Sequence, residues 1–319
     1  MSKVIAIAVN TFKEAVRNRV LYVLLFFSIL IMLGAWVAST LAIDDETRIV
    51  RNLGVAAINL ISVLIAVFVG IGLVYNDLDK KTIYTIISKP ISRWQFLLGK
   101  YLGLMLTIAV NVLFMTWMFC SVLHFRTAIS PGVMSAAINH TTPEGVFVAA
   151  GPVQQLTYII VAIIKSLGLG LFHLLSLGYD GQELTTGLFT SSMMTILEMS
   201  VITSFAVLFS AFSTPTLSAF LTVIVFIIGR LNQDLYDFAQ SMASRAGGVE
   251  NLAGGQLFTY YFATGSAYIC PNLEFFNVRP QLTKLAPIQV PLEHIAYGIV
   301  YTTLVIVISV IVFNRRNFK

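Results

Sequence analysis

The spacing of charge constrains this chain more than any other feature. Val20 to Ile43, Asn52 to Asn76 and Tyr101 to Phe125 run 24, 25 and 25 residues without Asp, Glu, Lys or Arg. About 20 consecutive apolar residues suffice for a helix to cross the hydrocarbon of a bilayer. Only 11% of the 319 residues are charged, against 57% hydrophobic, and the mean hydropathy is +0.84. A soluble domain carries roughly 25% charged residues. So few charges cannot cover a soluble globule, and disorder needs the opposite composition. The sequence therefore predicts an all-α integral membrane protein.

The other apolar stretches complete a set of six spans. Leu184 to Phe212 is interrupted only by Glu198, Thr216 to Gly229 is short, and His294 to Asn314 lies between Glu293 and Arg315. The predicted spans cover about 20–43, 52–76, 96–124, 184–212, 216–234 and 293–314, in one transmembrane domain over residues 1–319. The first span is no signal peptide. Its flank holds Lys3, Lys13, Glu14, Arg17 and Arg19, its apolar run is too long, and no small-residue cleavage site follows.

Residues 157–178 are apolar too, but Lys165 sits near their middle. A lysine at the bilayer centre costs about 2.5–3.5 kcal/mol on insertion scales. The charge balance decides how to count this segment. With six spans and both termini cytoplasmic, the inner pieces carry Lys3, Lys13, Arg17, Arg19, Lys80, Lys81, Lys89, Arg93, Lys100, Arg315, Arg316 and Lys319, which is 12 of the 20 Lys and Arg. The much longer outer pieces carry the other eight, as the positive-inside rule requires. Residues 157–178 are then an interfacial or outward-facing helix, partly re-entrant. The net charge of +5 reflects this anchoring rather than a nucleic-acid partner.

Between the spans lie four features. Lys3 to Asn18 has Val4, Ile5, Ala8, Phe12, Ala15 and Val16 at helical spacing with Lys13, Glu14 and Arg17 opposite. That is an amphipathic helix, lying on the inner membrane surface or simply extending the first span. The loop 77–93 opens with Asp77 and Asp79, turns basic at Lys80 and Lys81, and continues Thr82-Ile83-Tyr84-Thr85-Ile86-Ile87 to Ser88-Lys89-Pro90. Proline cannot continue a helix, so this is a short helix of about two turns, with a new helix starting at Ser92. Its apolar residues on a water-side loop mark a partner surface, or pack on the protein's own helix ends. Ser213-Thr214-Pro215 forms a tight inner turn. The outer regions 125–183 and 235–292 are long and predicted to be largely helical.

Catalytic chemistry is missing. Gly99-Lys100 is followed by Tyr101 and lacks the preceding glycine of a phosphate-binding loop, so the chain does not hold ATP that way. His124, His140, His173 and His294 are scattered and form no metal-binding spacing. Cys120 and Cys270 both map near the outer side, where a disulfide is open. Gly99 and Gly103 form a G-x-x-x-G pair, which serves close helix packing or arises by chance. Glu198 is the one acidic residue deep in a predicted span. It is either a polar element of a transport path or subunit contact, or a structural hydrogen bond between helices.

Several of these segments together resemble the permease subunits of type-2 ABC exporters, the ABC-2 family. Thr11-Phe-Lys-Glu-Ala-Val-Arg-Asn-Arg19 looks like that family's N-terminal connecting helix. Asp77 to Arg93, with Leu98-Gly-Lys100, looks like its cytoplasmic coupling loop. Phe209 to Pro215 and the basic end Phe313 to Phe318 are similar to its inter-span turn and its C-terminus. The family more often has Glu at the position of Asp77 and Gly at that of Lys81, and region 126–183 is longer than usual.

The resemblance implies a non-enzymatic permease of the inner membrane that couples ATP hydrolysis in a separate ATPase subunit to export. It implies no cofactor in this chain, ATP and Mg being held by the ATPase. The partners would be that ATPase, a second permease subunit, identical or not, membrane lipid, and a periplasmic or outer accessory protein. The coupling helix Lys80, Lys81, Thr82, Ile83, Tyr84, Thr85, Ile86 and Ile87 would enter the ATPase, with Asp77, Lys89 and Arg93 as its orienting rim. The alternative is an ATPase-docked scaffold subunit of an envelope machine, through which nothing crosses.

Overall fold

The computed structural model describes residues 3–40, 46–70, 72, 92–129, 140–141, 147–148, 152–175, 187–283 and 290–315. The predicted coupling helix 80–87, with Asp77 and Lys89, lies outside them.

The described chain is a helical bundle around one long helix. The elements are α1 (Lys3–Val16), α2 (Arg19–Thr40), α3 (Glu46–Leu64, continued by a π turn Ile65–Val69), α4 (Arg93–Ala128), α5 (Pro152–Leu175), α6 (Leu188–Ser210), α7 (Pro215–Arg230), α8 (Asn232–Arg245), α9 (Gly254–Ile269), α10 (Arg279–Thr283) and α11 (Leu292–Arg315). Two-residue strands His140–Thr141 and Phe147–Val148 pair in the loop before α5, and short 3-10 turns cover Val249–Asn251 and Leu273–Phe276. Among the described residues six helices are long and apolar enough to cross a membrane, the broken pair α7–α8 apart.

At 36 residues α4 is roughly 54 Å long, against a hydrocarbon thickness of about 30 Å. Its start is fixed by a capping box, with Ser92 and Gln95 each binding the other's backbone. Its buried face carries Leu97, Leu104, Ile108, Met115, Phe119 and Leu123, all close to fully buried.

Neighbouring contacts fix the direction of each helix against α4. On α3, Gly54 lies against Phe119 and Gly70 against Leu104, so α3 is antiparallel. On α6, Ser192 bonds Thr116 at 2.6 Å, and the Ser200 carbonyl accepts from Tyr101 at 3.3 Å, so α6 is antiparallel too. Along α11, Gly298 packs on Leu197 and Thr302 on Ser200, so α11 is parallel to α6. The rings of Phe96 and Phe313 stack at 6.4 Å, placing the end of α11 beside the start of α4. That end of the bundle, where α1 also packs, is the proximal end.

The helix α5 runs beside only the distal third of α4. Tyr158 donates to the Ala128 carbonyl at 2.9 Å, and Trp117 Nε1 donates to the Leu167 carbonyl at 3.1 Å. So α5 points proximally, as α6 does after it. Two consecutive helices with one direction leave no net crossing between them. By length and composition α5 could span, but its direction makes it an excursion from the distal side. The stretch predicted as the fifth span, 216–234, is also divided. Pro215 is the first residue of α7, the helix ends at Arg230, and α8 leaves at 58°. Asn232 then ties the α8–α9 hairpin by donating to the Ala267 and Cys270 carbonyls at 3.0 and 3.1 Å.

The proximal end is closed by α1. An added Cβ at Gly99 would sit 2.7 Å from Ile7 Cβ, and one at Gly103 would sit 2.6 Å from the Ala8 carbonyl. Both glycines of the G-x-x-x-G pair thus serve the approach of α1, through Ile7, Ala8 and Thr11. Replacing Gly103 by Leu should cost about 1–3 kcal/mol by overpacking. It should lower the thermal midpoint in detergent and speed tryptic cleavage at Arg17 and Arg19. The direction of α5 gives a second expectation. In a chain lacking Cys120 and Cys270, a cysteine at Gln154 and one at Asn314 should react with an impermeant maleimide from opposite sides of the membrane. Labelling of both from one side would contradict the re-entrant path.

Candidate functional site

Two polar assemblies stand out from the apolar bundle. The first is at the proximal end. Lys100 is only 2% exposed, and its Nζ reaches Glu14 Oε2 of α1 at 3.4 Å. Arg93 donates from Nη1 to the Asn314 carbonyl at 3.1 Å and, more weakly, to that of Phe313 at 3.5 Å. A cation at the C-terminus of a helix meets the carbonyls that the helix leaves unbonded. Arg93, predicted as part of the orienting rim, thus braces α11 against the first turn of α4. The other rim residues, Asp77 and Lys89, and the docking residues Lys80 to Ile87 are outside the described residues.

The second assembly is a charge layer halfway along α6. Glu198 is 1% exposed. Asn59 of α3 donates to its Oε2 at 2.7 Å, and Arg230, the last residue of α7, approaches its Oε1 at 3.3 Å. Arg230 also donates to the Leu273 carbonyl at 3.4 Å. One carboxylate therefore joins α3, α6 and α7, and through Arg230 it holds the turn leading to α10. Gly229 makes this approach possible, since a Cβ there would lie 2.7 Å from the Pro271 carbonyl. Arg279 and Glu274 are within electrostatic reach of the pair. Burial holds the Arg279 guanidinium below its ordinary value, Arg230 acts in the same sense, and Glu198 and Glu274 oppose both.

Glu198 was visible in the sequence as a lone intramembrane carboxylate. Its partners are on other helices, not the adjacent Ser200 or Thr203. In the sequence Arg230 ends an apolar run inside the predicted fifth span 216–234 and gives no sign of a partner on α6. Asn59, a carboxamide in the middle of the second span, was the available hint. Cys120 is buried in α4 and Cys270 follows α9, and both are free thiols. Among the described residues no group of His, Cys, Asp and Glu could hold a metal ion.

The model for the ABC-2 family transporter proteins matches residues 5–318. The chain belongs to that family. No curated protein compared with it matches. The family membership makes this chain the membrane subunit, the permease, of an ABC transporter, and it implies partnership with an ABC ATPase subunit. The match runs through both assemblies, from α1 to the end of α11.

In this ABC-2 permease the charge layer has a specific energetic signature. Removing one partner of a buried ion pair strands the other and costs about 3–5 kcal/mol, whereas replacing both is often neutral. Arg230→Met should therefore lower the unfolding midpoint strongly. Adding Glu198→Gln to it should recover most of the loss, because the glutamine still accepts from Asn59. A double variant no better than Arg230→Met would show that the ion pair carries none of the stability.

Proposed function

We propose that this permease couples ATP hydrolysis in a separate ATPase subunit to export of a substrate, with the loop 77–91 as the docking element and the proximal end in the cytoplasm. The observation that supports this reading best is where that loop ends. It feeds into Ser92, the cap of α4, and the first turns of α4 gather both α1 and the end of α11. A displacement delivered at this point acts on three helices together. It is then carried along roughly 54 Å of unbroken helix toward the distal end.

Two permease subunits pair, each with its ATPase. Ile83, Tyr84, Ile86 and Ile87 supply the apolar anchor in the ATPase cleft, with Lys80, Lys81, Asp77 and Lys89 around it. Closure of the ATPase pair on ATP moves the docked loops. The bundle then shifts between inward-facing and outward-facing arrangements, whose balance both the docking site and the transport path bias. The basic residues of the N-terminal flank, of the loop 80–100 and of the C-terminal end support a cytoplasmic orientation of that face.

The test is co-purification. The tagged wild-type chain should bring down a stoichiometric ATPase from its native membrane in mild detergent. Tyr84→Asp with Ile87→Asp should abolish that recovery by more than tenfold while the chain still inserts. Unchanged recovery with the double variant would overturn the docking assignment.

A further inference from the structure

A cavity of about 240 Å³ opens at the distal end, on the outer side of the charge layer. Met194 lines it from α6, one helical turn before Glu198, and Gln233 lines it just beyond Arg230. Glu274, Phe275 and Asn277 come from the 3-10 turn after α9, and His294 comes from the first turn of α11. The cavity thus lies where the outer segment meets the α6, α7 and α11 ends.

Its chemistry is selective. Among the described residues that line it, Glu274 is the one carboxylate and none is Lys or Arg. That carboxylate is held in place. Asn277 Nδ2 donates to Glu274 Oε1 at 2.6 Å, while the Glu274 backbone N–H donates to Asn272 Oδ1 at 3.0 Å. Among the described residues Oε2 accepts no hydrogen bond. Beside it, the rings of Phe275 and His294 stack at 4.7 Å and 14°, and Phe275 meets Tyr297 edge-on at 5.3 Å. Behind the wall Arg230 and Arg279 stand opposite Glu198, and Glu274 completes the balance of these four charges. The described part of the wall presents one carboxylate, with one oxygen unbonded, next to an aromatic face.

The geometry points to a binding site for a compact organic amine. Its ammonium would donate to the free oxygen of Glu274, and its apolar body would lie on the Phe275–His294 stack. Cations are attracted both to a carboxylate and to aromatic faces. An anion of the same shape would be buried against Glu274 with no counter-charge among the described lining residues. The volume fits one ring with a short arm, below the usual range for drug-sized ligands. This site is independent of the docking assignment, since it lies at the opposite end of the bundle and can be read without the ATPase.

The test uses the full chain in lipid nanodiscs, titrated with benzylammonium, benzyl alcohol and benzoate and followed by saturation-transfer NMR. Empty nanodiscs correct for partitioning into lipid. Saturable binding should appear for benzylammonium, at least tenfold tighter than for the alcohol, and benzoate should show none. Glu274→Gln should abolish this preference at unchanged thermal midpoint. Phe275→Leu, which keeps the site apolar but removes an aromatic face, should weaken both ligands, the ammonium at least as much as the alcohol. It provides a second readout if Glu274→Gln does not fold. Absence of saturable binding, equal binding of ammonium and alcohol, or full affinity in Glu274→Gln or in Phe275→Leu would each overturn the assignment.

Discussion

A carboxylate buried in the middle of a membrane bundle must be neutralised or bonded, because hydrocarbon offers it nothing. Glu198 meets that requirement with Asn59 on one side and Arg230 on the other. The rest of the distal half follows from this arrangement. Arg230 has to stop at the depth of Glu198, so α7 ends after 16 residues, roughly 24 Å, short of a full crossing. The chain then bends by 58° into α8, Asn232 ties the α8–α9 hairpin, and the arginine itself holds the turn to α10 through the Leu273 carbonyl. An apolar contact at that depth would not have dictated where the helix breaks, since lipid and apolar side chains are near-equivalent neighbours there.

The proximal half is organised by shape more than by charge. Gly99 and Gly103 let α1 approach the backbone of α4, and Lys100 and Arg93 then bond to Glu14 and to the end of α11. The two halves are linked by the single helix α4, with α3, α6 and α11 packed along it. That gives an ABC-2 permease a physical route between its two ends: a rigid helix clasped at its proximal end, with the buried charge layer beside its middle. The distal excursions α5 and α8–α9 hang on this frame and present apolar faces outward. Leu156, Ile164, Phe258 and Tyr268 are all at least 60% exposed. Apolar exposure of that extent is what a lipid-facing surface requires.

Much of this was legible in the linear pattern. Charge-free windows locate α2, α3, α4 and α11, and an apolar stretch broken only by Glu198 locates α6, because a span has to be continuous in sequence. The α4 start at Ser92 and the α7 start at Pro215 were legible because capping and proline chemistry are local. The lysine in 157–178 and the distribution of basic residues pointed to an excursion instead of a seventh span, and the shared direction of α5 and α6 agrees. The fifth span was harder to read. Hydropathy sees Thr216 to Gly229 as a short span to be extended past Arg230, and cannot register that the arginine is held back by a partner on α6.

The sequence by itself determined the class, the membrane helices and their approximate ends, since hydropathy and local caps depend only on neighbouring residues. It also carried the motifs by which the chain resembles its family. Tertiary structure alone decided which polar residues meet. Asn59, Glu198 and Arg230 are separated by 139 and 32 positions, and no periodicity links them. The same holds for Glu274, Phe275 and His294 around the distal cavity, and for Arg93 at the end of α11. Each of these groupings depends on helix direction and depth, which are set by packing across the bundle, and packing partners in a membrane are chosen by fit between surfaces rather than by hydrophobicity along the chain.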